Sequence, residues 1–382
     1  MNAEPQLSLP INHQLTNNLQ TEAVDLLTKL VSIPSPSEQE AKAANFLTGW
    51  MNAHGFSAHI DDAGNAVGVK GEGPHEILLL GHIDTFPGDV PTRREGDILY
   101  GRGTVDAKGP LGAFAAATAQ IEIPKAWRVT VVGAVEEESA TSKGARHILA
   151  QRHQHPPVYC LIGEPSSWDR ITLGYKGRLL VDVLLRAPFS HSAGEGRLPA
   201  EQAVDLWRQI EWQCANLNRE RQATGPFTRL DPSLRHITSR DEGAFGVVEM
   251  SLGFRLPIGI TLLELEQRLR GVAQTLPDES SLELKFFGGE PAFKGNKSSP
   301  LVRAFLKVIR AANGNPRFVV KTGTSDMNVV APHWPDTPIL AYGPGDSSLD
   351  HTPDEHVDLN EYLQTIEILT AVLNLLTANN QP

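Results

Sequence analysis

The chain of 382 residues is long enough for one large domain or for two domains of ordinary size. Hydrophobic residues make up 40% of the sequence and charged residues 21%, a balance that is typical of soluble globular proteins. The formal net charge of −11 argues against non-specific binding to nucleic acid or to an anionic membrane, because those partners are also negatively charged.

The first twenty residues are polar and lack the basic start and apolar stretch of a signal peptide. We therefore expect a flexible extension at residues 1–20 and a cytoplasmic protein. No run of eighteen apolar residues occurs, so no membrane span is predicted. Cys160 and Cys214 are too few for a disulfide framework or a thiolate zinc site, so any bound metal must use histidine and carboxylate ligands.

Between residues 21 and 162 the hydrophobic pattern switches repeatedly between helical and strand periodicity. Helices are predicted at residues 21–31, 38–54, 111–121 and 144–151. Strands are predicted at residues 57–61, 66–70, 77–80, 128–135 and 158–162. Ser37 is expected to cap the second helix, with Glu40 three residues further on. Short apolar strands that alternate with helices predict an α/β layer with a largely parallel sheet.

After Gly174 the pattern changes to a block of strand, helix, strand, helix and strand. The predicted elements are strands at 179–185, 247–255 and 282–287, and helices at 200–217 and 262–276. From Pro300 the first pattern resumes, with helices at 300–312 and 359–378 and strands at 318–321 and 339–342. The simplest architecture is an α/β catalytic domain, residues 21–175 and 291–382, interrupted by an inserted α+β domain, residues 176–290.

Polar side chains with metal-binding or acid–base chemistry lie next to the ends of several predicted elements. They are His82 and Asp84 after strand 77–80, Asp106 before helix 111–121, the run Glu136-Glu137-Glu138 after strand 128–135, Glu164 after strand 158–162, and His351 after strand 339–342. Each residue alone has an ordinary explanation as a turn, capping or surface residue. Because ligand sites in open α/β sheets lie beyond the carboxyl ends of the strands, their joint placement predicts a single site.

Two imidazoles with three or more carboxylates form a suitable ligand set for two metal ions. Such ions lie ~3.5–4 Å apart and often share a water or hydroxide. Zinc lowers the pKa of its water to about 7, and a nearby carboxylate can pass the water's proton to a leaving amine. Asp84 could accept the second imidazole N–H of His82 and so set which nitrogen faces a metal. No GxSxG or Cys-His pattern points to a covalent intermediate, so amide hydrolysis by activated water is favoured.

The motifs resemble those of the M20 family of metallo-aminoacylases and peptidases in order and approximate spacing. They are Leu80-Gly81-His82-Ile83-Asp84, Gly101-Arg102-Gly103 with Asp106-Ala107-Lys108-Gly109, the glutamate run, Gly163-Glu164-Pro165 and His351. The resemblance covers the chain from about Thr21 to the C-terminal helix. It implies a zinc-peptidase-like catalytic domain with a mixed, largely parallel sheet, and an inserted lid domain that usually forms a homodimer.

The resemblance also implies two zinc ions per subunit, for which cobalt could substitute. His82, Asp106 and Glu164 would surround one ion. Asp106, a glutamate of the run and His351 would surround the other, so Asp106 would bridge the two. In this family the bridging aspartate is often followed by a cis peptide bond.

Three residues are implied to act beside the metals. Asp84 would orient His82, and a glutamate of the run would be the general base. His191, in the inserted domain, would reach an active site, often that of the partner subunit, and steady the oxyanion. The family usually has Asp-Glu-Glu where this chain has three glutamates. Aligning the first glutamate with the aspartate makes Glu137 the base and Glu138 the ligand, but the register with Glu136 as base and Glu137 as ligand stays open.

Within the family, residues 321–328 and 342–347 look most like the lysine-biosynthesis hydrolases, some of which are described as N-acetyl-lysine deacetylases. Those enzymes release lysine or ornithine from the terminal glutamate of an acidic amino-group carrier protein, in lysine and arginine biosynthesis. A groove for such a carrier is expected to have a basic rim, for which the candidates are Arg93, Arg94, Arg178, Lys294 and Lys297. The alternatives are an N-acetylornithine deacetylase or succinyl-diaminopimelate desuccinylase acting on small free substrates, and a metal-free relative that only binds a partner.

Overall fold

The computed structural model describes residues 17–189, 197–273 and 280–378. The helices, in chain order, are α1 Asn17–Val31, α2 Ala41–Ala53, α3 Lys108–Ala119, α4 Lys143–Gln151, α5 Pro199–Glu220, α6 Leu262–Ala273, α7 Pro300–Ala311, α8 Asp326–Val330 and α9 Leu359–Thr377. The strands are β1 Ser57–Ile60, β2 Ala66–Lys70, β3 His75–His82, β4 Arg93–Glu95, β5 Ile98–Tyr100, β6 Trp127–Ala134, β7 Tyr159–Gly163, β8 Arg170–Tyr175, β9 Gly177–Pro188, β10 Asp231–Glu242, β11 Phe245–Leu256, β12 Ser281–Glu290, β13 Phe293–Lys294, β14 Arg317–Lys321, β15 Ile339–Ala341 and β16 His356–Asp358.

The chain folds into two compact units. The first unit comprises Met1–Leu173, Gly295–Val319 and His333–Pro382, and the second unit comprises Gly174–Lys294 and Val320–Pro332. Residues 320–332 therefore cluster with the second unit, whereas the sequence pattern put all of 291–382 in the catalytic domain. Among the helices that the structure describes, none is both long enough and apolar enough to cross a membrane.

The main sheet of the first unit has the strand order β1-β2-β6-β3-β7-β15-β8. Strands β6, β3, β7 and β15 run parallel to one another, whereas β1, β2 and β8 pair antiparallel with their neighbours. The parallel strands are buried along almost their whole length, as expected for a sheet that is covered on both faces. This mixed sheet with its helices confirms the predicted α/β class.

Helix α3 packs closely against the carboxyl ends of the parallel strands because glycines line that part of the sheet. Gly81 pairs with Gly133 in β6 and with Gly163 in β7. A Cβ atom at Gly81 or Gly133 would lie 3.3 or 3.2 Å from side-chain carbons of Leu111, so a side chain there would press against the helix. The close approach brings the start of α3, and with it Asp106, to the ends of the strands.

A small second sheet in the first unit joins two distant parts of the chain. Its order is β16-β5-β4. Strand β16 follows the loop of His351 and pairs antiparallel with β5, which precedes the loop of Asp106. The Gly101 N–H continues this pairing by donating to the backbone carbonyl of Glu355 at 3.1 Å. The sheet therefore holds the two loops side by side.

The second unit has a four-stranded antiparallel sheet in the order β10-β11-β9-β12. Burial alternates along β9, where Val181, Val183 and Leu185 are buried but Asp182 and Leu184 are exposed. The buried side chains form one cluster with apolar residues of α5 and α6. The sheet thus has one face covered by helices, as expected for a half-buried antiparallel sheet.

The predictions differ from the structure at the start of α2 and at β10, among other places. The prediction that Ser37 caps the second helix is wrong, because α2 begins at Ala41 with Glu40 at the N-cap position. The Ser37 hydroxyl instead donates to Asp84 Oδ2 at 2.7 Å. Strand β10 was not predicted, since it is an edge strand with a largely polar and exposed sequence.

Candidate metal centre

The carboxyl ends of three parallel strands bring the predicted metal-binding residues together. His82 is the last residue of β3, and its backbone pairs with Ala134 at the end of β6, just before the glutamate run. In β7, Gly163 pairs with Gly81, so the buried Glu164 follows β7 at the same level as His82 follows Gly81. The register of the sheet thus explains why residues far apart in sequence meet at one edge.

Asp106 lies between the two histidines. Its Oδ1 is 3.0 Å from His82 Nε2, and its Oδ2 is 3.0 Å from His351 Nε2. The peptide bond between Asp106 and Ala107 is cis. One carboxylate therefore offers a separate oxygen to each side of the site, which is the arrangement that a bridging ligand requires.

Glu138 and His351 form the other side of the cluster. Glu138 Oε1 lies 3.1 Å from His351 Nε2. His351 has a left-handed backbone conformation, with φ of 62°, and its ring stacks on Phe86 with 4.2 Å between the ring centroids. Donor atoms of His82, Asp106 and Glu138 all lie within 4.8 Å of one another.

Asp84 connects His82 to the glutamate run. It is fully buried, and its carboxylate accepts the backbone N–H of Glu137 at 3.1 Å and that of Glu138 at 2.9 Å. His82 Nδ1 lies 2.9 Å from the Asp84 backbone carbonyl and 3.4 Å from its carboxylate. Asp84 therefore contacts His82 through two of its oxygens and also fixes the backbone that carries the glutamates.

The three glutamates point to different partners. Glu136 Oε1 pairs with Lys143 Nζ at 2.9 Å, and Glu136 Oε2 accepts from the Thr141 hydroxyl at 2.9 Å. Glu138 instead contacts His351. Glu137 is close enough to His82 to favour the protonated form of that imidazole. These contacts favour the register in which Glu137 and Glu138, rather than Glu136, serve the site.

The neighbouring carboxylates raise the pKa values of both imidazoles. Hydrogen bonds with Asp106 and Glu138 raise the pKa of His351 to about 10. Burial opposes protonation of His82, but hydrogen bonds with Asp106 and Asp84 outweigh it and raise the pKa of His82 well above its ordinary value. Burial likewise opposes ionisation of Asp106, yet both histidines hold the pKa of Asp106 below its ordinary value. The cluster thus stabilises positive charge.

The donor set fits a divalent first-row metal. It consists of imidazole nitrogens and carboxylate oxygens, which zinc accepts readily, and no thiolate takes part because both cysteines are buried elsewhere. Contacts orient both imidazoles, with Asp84 behind His82 and Phe86 against His351, as is usual for histidines that bind metals.

His191 lies outside the described residues. Glu355 and Arg102, which the sequence analysis did not select as functional, lie beside Asp106, since Glu355 accepts the Asp106 N–H at 3.1 Å and pairs with Arg102 at 2.7 Å. The only signal for Glu355 was its place four residues after His351 in the same loop.

Comparison with known proteins agrees with this geometry. Residues 78–375 match the model of peptidase family M20/M25/M40. The chain is 44% identical over 358 residues to the LysW-lysine hydrolase of Deinococcus radiodurans, an alignment that covers 93% of this chain and 97% of that protein. It is 30% identical over 345 residues to the LysW-lysine/LysW-ornithine hydrolase of Saccharolobus solfataricus, covering 89% of this chain and 92% of that protein.

Solved structures with low sequence identity share the fold. An M20 family metallo-carboxypeptidase from Sulfolobus solfataricus superposes with a TM-score of 0.77 at 18% identity, covering 94% of this chain and all (100%) of the other. A dinuclear metal-binding M20 peptidase from Bacillus subtilis superposes with a TM-score of 0.68 at 13% identity, covering 95% of this chain and 100% of the other. The chain therefore belongs to peptidase family M20/M25/M40 and is a metal-dependent hydrolase of amide bonds.

Proposed function

We propose that this chain is a two-zinc hydrolase that releases lysine, or ornithine, from the terminal glutamate of the carrier protein LysW. The placement of Asp106, with one oxygen at 3.0 Å from each histidine, carries the proposal of a metal pair. His82, Asp106 and Glu164 would hold one ion, and Asp106, Glu138 and His351 the other. Cobalt could replace zinc, because both accept nitrogen and oxygen ligands.

The residues around the proposed metals have distinct tasks in amide hydrolysis. Bound zinc ions lower the pKa of water and polarise the amide carbonyl. Glu137 takes a proton from the attacking water and delivers it to the nitrogen of the leaving amine, so that the C–N bond breaks and a carboxylate and an amine result. Asp84 holds His82 and the backbone of Glu137 in place. His191 would donate to the oxyanion, in a homodimer from the partner subunit.

The identity of the substrate rests on the named relatives, of which the Deinococcus protein is 44% identical to this chain. Of the five basic residues that were candidates for a carrier-binding rim, Arg93 already pairs with Glu95 at 2.9 Å and Arg94 with Asp97 at 3.8 Å. Lys294 and Lys297 are exposed, and we retain them as the main rim residues. Attraction between such a rim and an acidic carrier weakens with added salt.

Kinetics on matched substrates test this function. The zinc-reconstituted enzyme should have a kcat/KM at least about 100-fold higher for carrier-linked lysine or ornithine than for acetyl-lysine, acetylornithine or succinyl-diaminopimelate, a difference of about 2.7 kcal/mol in transition-state binding. The ratio of the kcat/KM for carrier-linked substrate to that for the free substrates should decrease as the salt concentration rises. Equal turnover of free acetyl-lysine and carrier-linked lysine, unchanged by salt, would contradict the carrier substrate.

Removal of metal tests the chemistry separately from the substrate. Dialysis against a chelator should abolish turnover of every substrate, and two equivalents of zinc per subunit should restore it. Full activity of enzyme that metal analysis shows to be free of divalent ions would contradict the metal pair itself.

A further inference from the structure

We propose that Glu355, paired with Arg102, is the positioning residue that fixes Asp106 between the two histidines. The inference rests on the proposed metal pair and adds a role to two residues outside that ligand set. Glu355 is fully buried, and it lies in the loop between His351 and β16. A buried carboxylate is costly unless its oxygens are satisfied, so its partners indicate what it holds.

One carboxylate oxygen of Glu355 accepts three hydrogen bonds from the backbone of the loop that carries Asp106. Oε1 accepts the N–H of Gly103 at 2.9 Å, that of Val105 at 3.0 Å and that of Asp106 at 3.1 Å. Hydrogen bonds from three backbone N–H groups to one charged oxygen are stronger than neutral ones and define a single loop conformation. Because the Asp106 N–H is among them, the carboxylate directly restrains the residue that faces both histidines.

The other carboxylate oxygen of Glu355 pairs with Arg102, which also donates hydrogen bonds to the backbone of two other segments. Arg102 Nη1 donates to Glu355 Oε2 at 2.7 Å and to the carbonyl of Thr352, next to His351, at 3.2 Å. Arg102 Nε donates to the carbonyl of Gly88, in the loop that follows β3, at 3.0 Å. The pair thus links the segments that carry Asp106 and His351 to the segment that follows His82.

The backbone supports the same arrangement. The small sheet pairs His356 with Tyr100, so Glu355 enters the Asp106 loop from a fixed direction. Gly103 has a φ of 88°, and a Cβ there would lie 2.9 Å from the side chain of Thr85. The loop therefore has little freedom once Glu355 is in place. Without Glu355, the buried N–H groups of Gly103 and Val105 and the partly buried N–H of Asp106 would lose this acceptor.

Two substitutions at Glu355 separate positioning from simple stability. Glu355→Gln keeps one oxygen for the three N–H groups but loses the charge that pairs with Arg102, whereas Glu355→Ala loses both. We expect zinc affinity, measured by competition with a chelating dye, to fall about 10-fold in the glutamine variant and about 100-fold in the alanine variant, the range for groups that orient metal ligands. The kcat should fall in the same order, with KM nearly unchanged.

The matched control is Glu76→Gln, which alters another buried carboxylate paired with an arginine in the same unit. It should lower the melting temperature yet leave zinc affinity and kcat at wild-type values. The inference is overturned if Glu355→Gln and any folded Glu355→Ala protein bind two zinc ions as tightly as wild type and keep its kcat, whatever their melting temperatures. Failure of the wild-type protein to bind two zinc ions would instead contradict the proposed function.

Discussion

The carboxylates of the three consecutive glutamates, residues 136–138, lie in three different environments. Glu136 has a left-handed backbone, with φ of 60°, and turns its carboxylate to Lys143 and Thr141. Glu138 contacts His351, and burial raises the pKa of Glu138. Glu137 lies between these two, with its N–H held by Asp84. The proposed division of labour follows from these contacts, because Glu138 contacts a histidine of the site whereas Glu136 pairs with Lys143 instead.

Substitution of Glu137 by glutamine should separate metal binding from proton transfer. Glutamine has nearly the same shape but cannot accept a proton from water, so we expect kcat to fall by about 10²–10⁴-fold, the usual contribution of a general base. Zinc content, measured by elemental analysis after desalting, should stay at two ions per subunit. Loss of zinc together with activity would indicate that Glu137 is a ligand.

Glu136→Gln is the control for this experiment, since it changes the neighbouring residue in the same way. The largely buried Glu136 carboxylate pairs with the exposed Lys143 and accepts from the Thr141 hydroxyl rather than contacting either histidine, so we expect kcat within about 3-fold of wild type. If Glu136→Gln abolished turnover and Glu137→Gln removed a metal, the alternative register would hold.

The residues that meet at the site differ in how far the sequence could predict them. His82 and Glu164 directly follow apolar strands, and the parallel register brings such positions together, so their meeting was predictable. Glu355 reaches Gly103 across a sequence separation of 252 residues, through a pairing of two three-residue strands. Strands that short carry almost no periodic signal, so this contact could not be predicted from hydrophobic pattern.

Among the elements, the parallel strands of the first unit were predicted well, whereas several antiparallel strands, including the buried β8, were missed. The observed β2, Ala66–Lys70, has the predicted bounds, because its apolar residues stand between clear turn residues. The exposed β4 and the polar β10 were missed, since their residues are not selected for burial. The site depends on missed strands as well as on predicted ones. Strands β5 and β16, which were not predicted, position the loops that carry Asp106 and His351.

Glu76 lies at the end of β3 opposite to the site, and it links β3 to β6 and to the C-terminal end of α4. Its carboxylate accepts from Arg152 at 2.9 and 3.0 Å and from the Thr130 hydroxyl at 2.6 Å. Burial opposes ionisation of Glu76, but the hydrogen bonds and charge of Arg152 outweigh it, so the pKa of Glu76 lies below its ordinary value. The ionised carboxylate therefore stabilises the folded state.

The stabilisation by Glu76 should depend on pH in a defined direction. The folded-state pKa is lowered, so the contribution is complete above the unfolded-state value of about 4.3 and is lost as the pH falls through the folded-state value. At pH 7 we expect Glu76→Gln to lower the free energy of unfolding by roughly 1.5–3 kcal/mol, the contribution of hydrogen bonds to a charged group. Urea denaturation from pH 7 to pH 3 measures the difference.

The exposed Glu72 provides a control near the same strand, and Glu72→Gln should change the free energy of unfolding by less than about 0.5 kcal/mol. The difference between wild type and Glu76→Gln should narrow below about pH 4. A difference that stays constant down to pH 3 would mean that the Glu76 pKa is not linked to folding.

At the scale of the whole molecule, each unit has its own apolar core and its own buried thiol. Cys160 lies in β7 of the first unit, and Cys214 lies in α5 within the core of the second unit. Burial raises the pKa of the Cys214 thiol to about 12, so its reactive thiolate is scarce at neutral pH. The two thiols can therefore report separately on the opening of the two units.

The second unit has the smaller core cluster, and smaller cores bury a lower fraction of their chain's surface. We therefore expect Cys214 to react with a thiol reagent at lower urea concentration than Cys160, while neither reacts appreciably in native buffer within minutes. Labelling of the variants Cys160→Ser and Cys214→Ser at increasing urea assigns each transition to one unit. Reaction of Cys160 first would reverse the order of stability, and coincident midpoints would show that the two units unfold as one cooperative body.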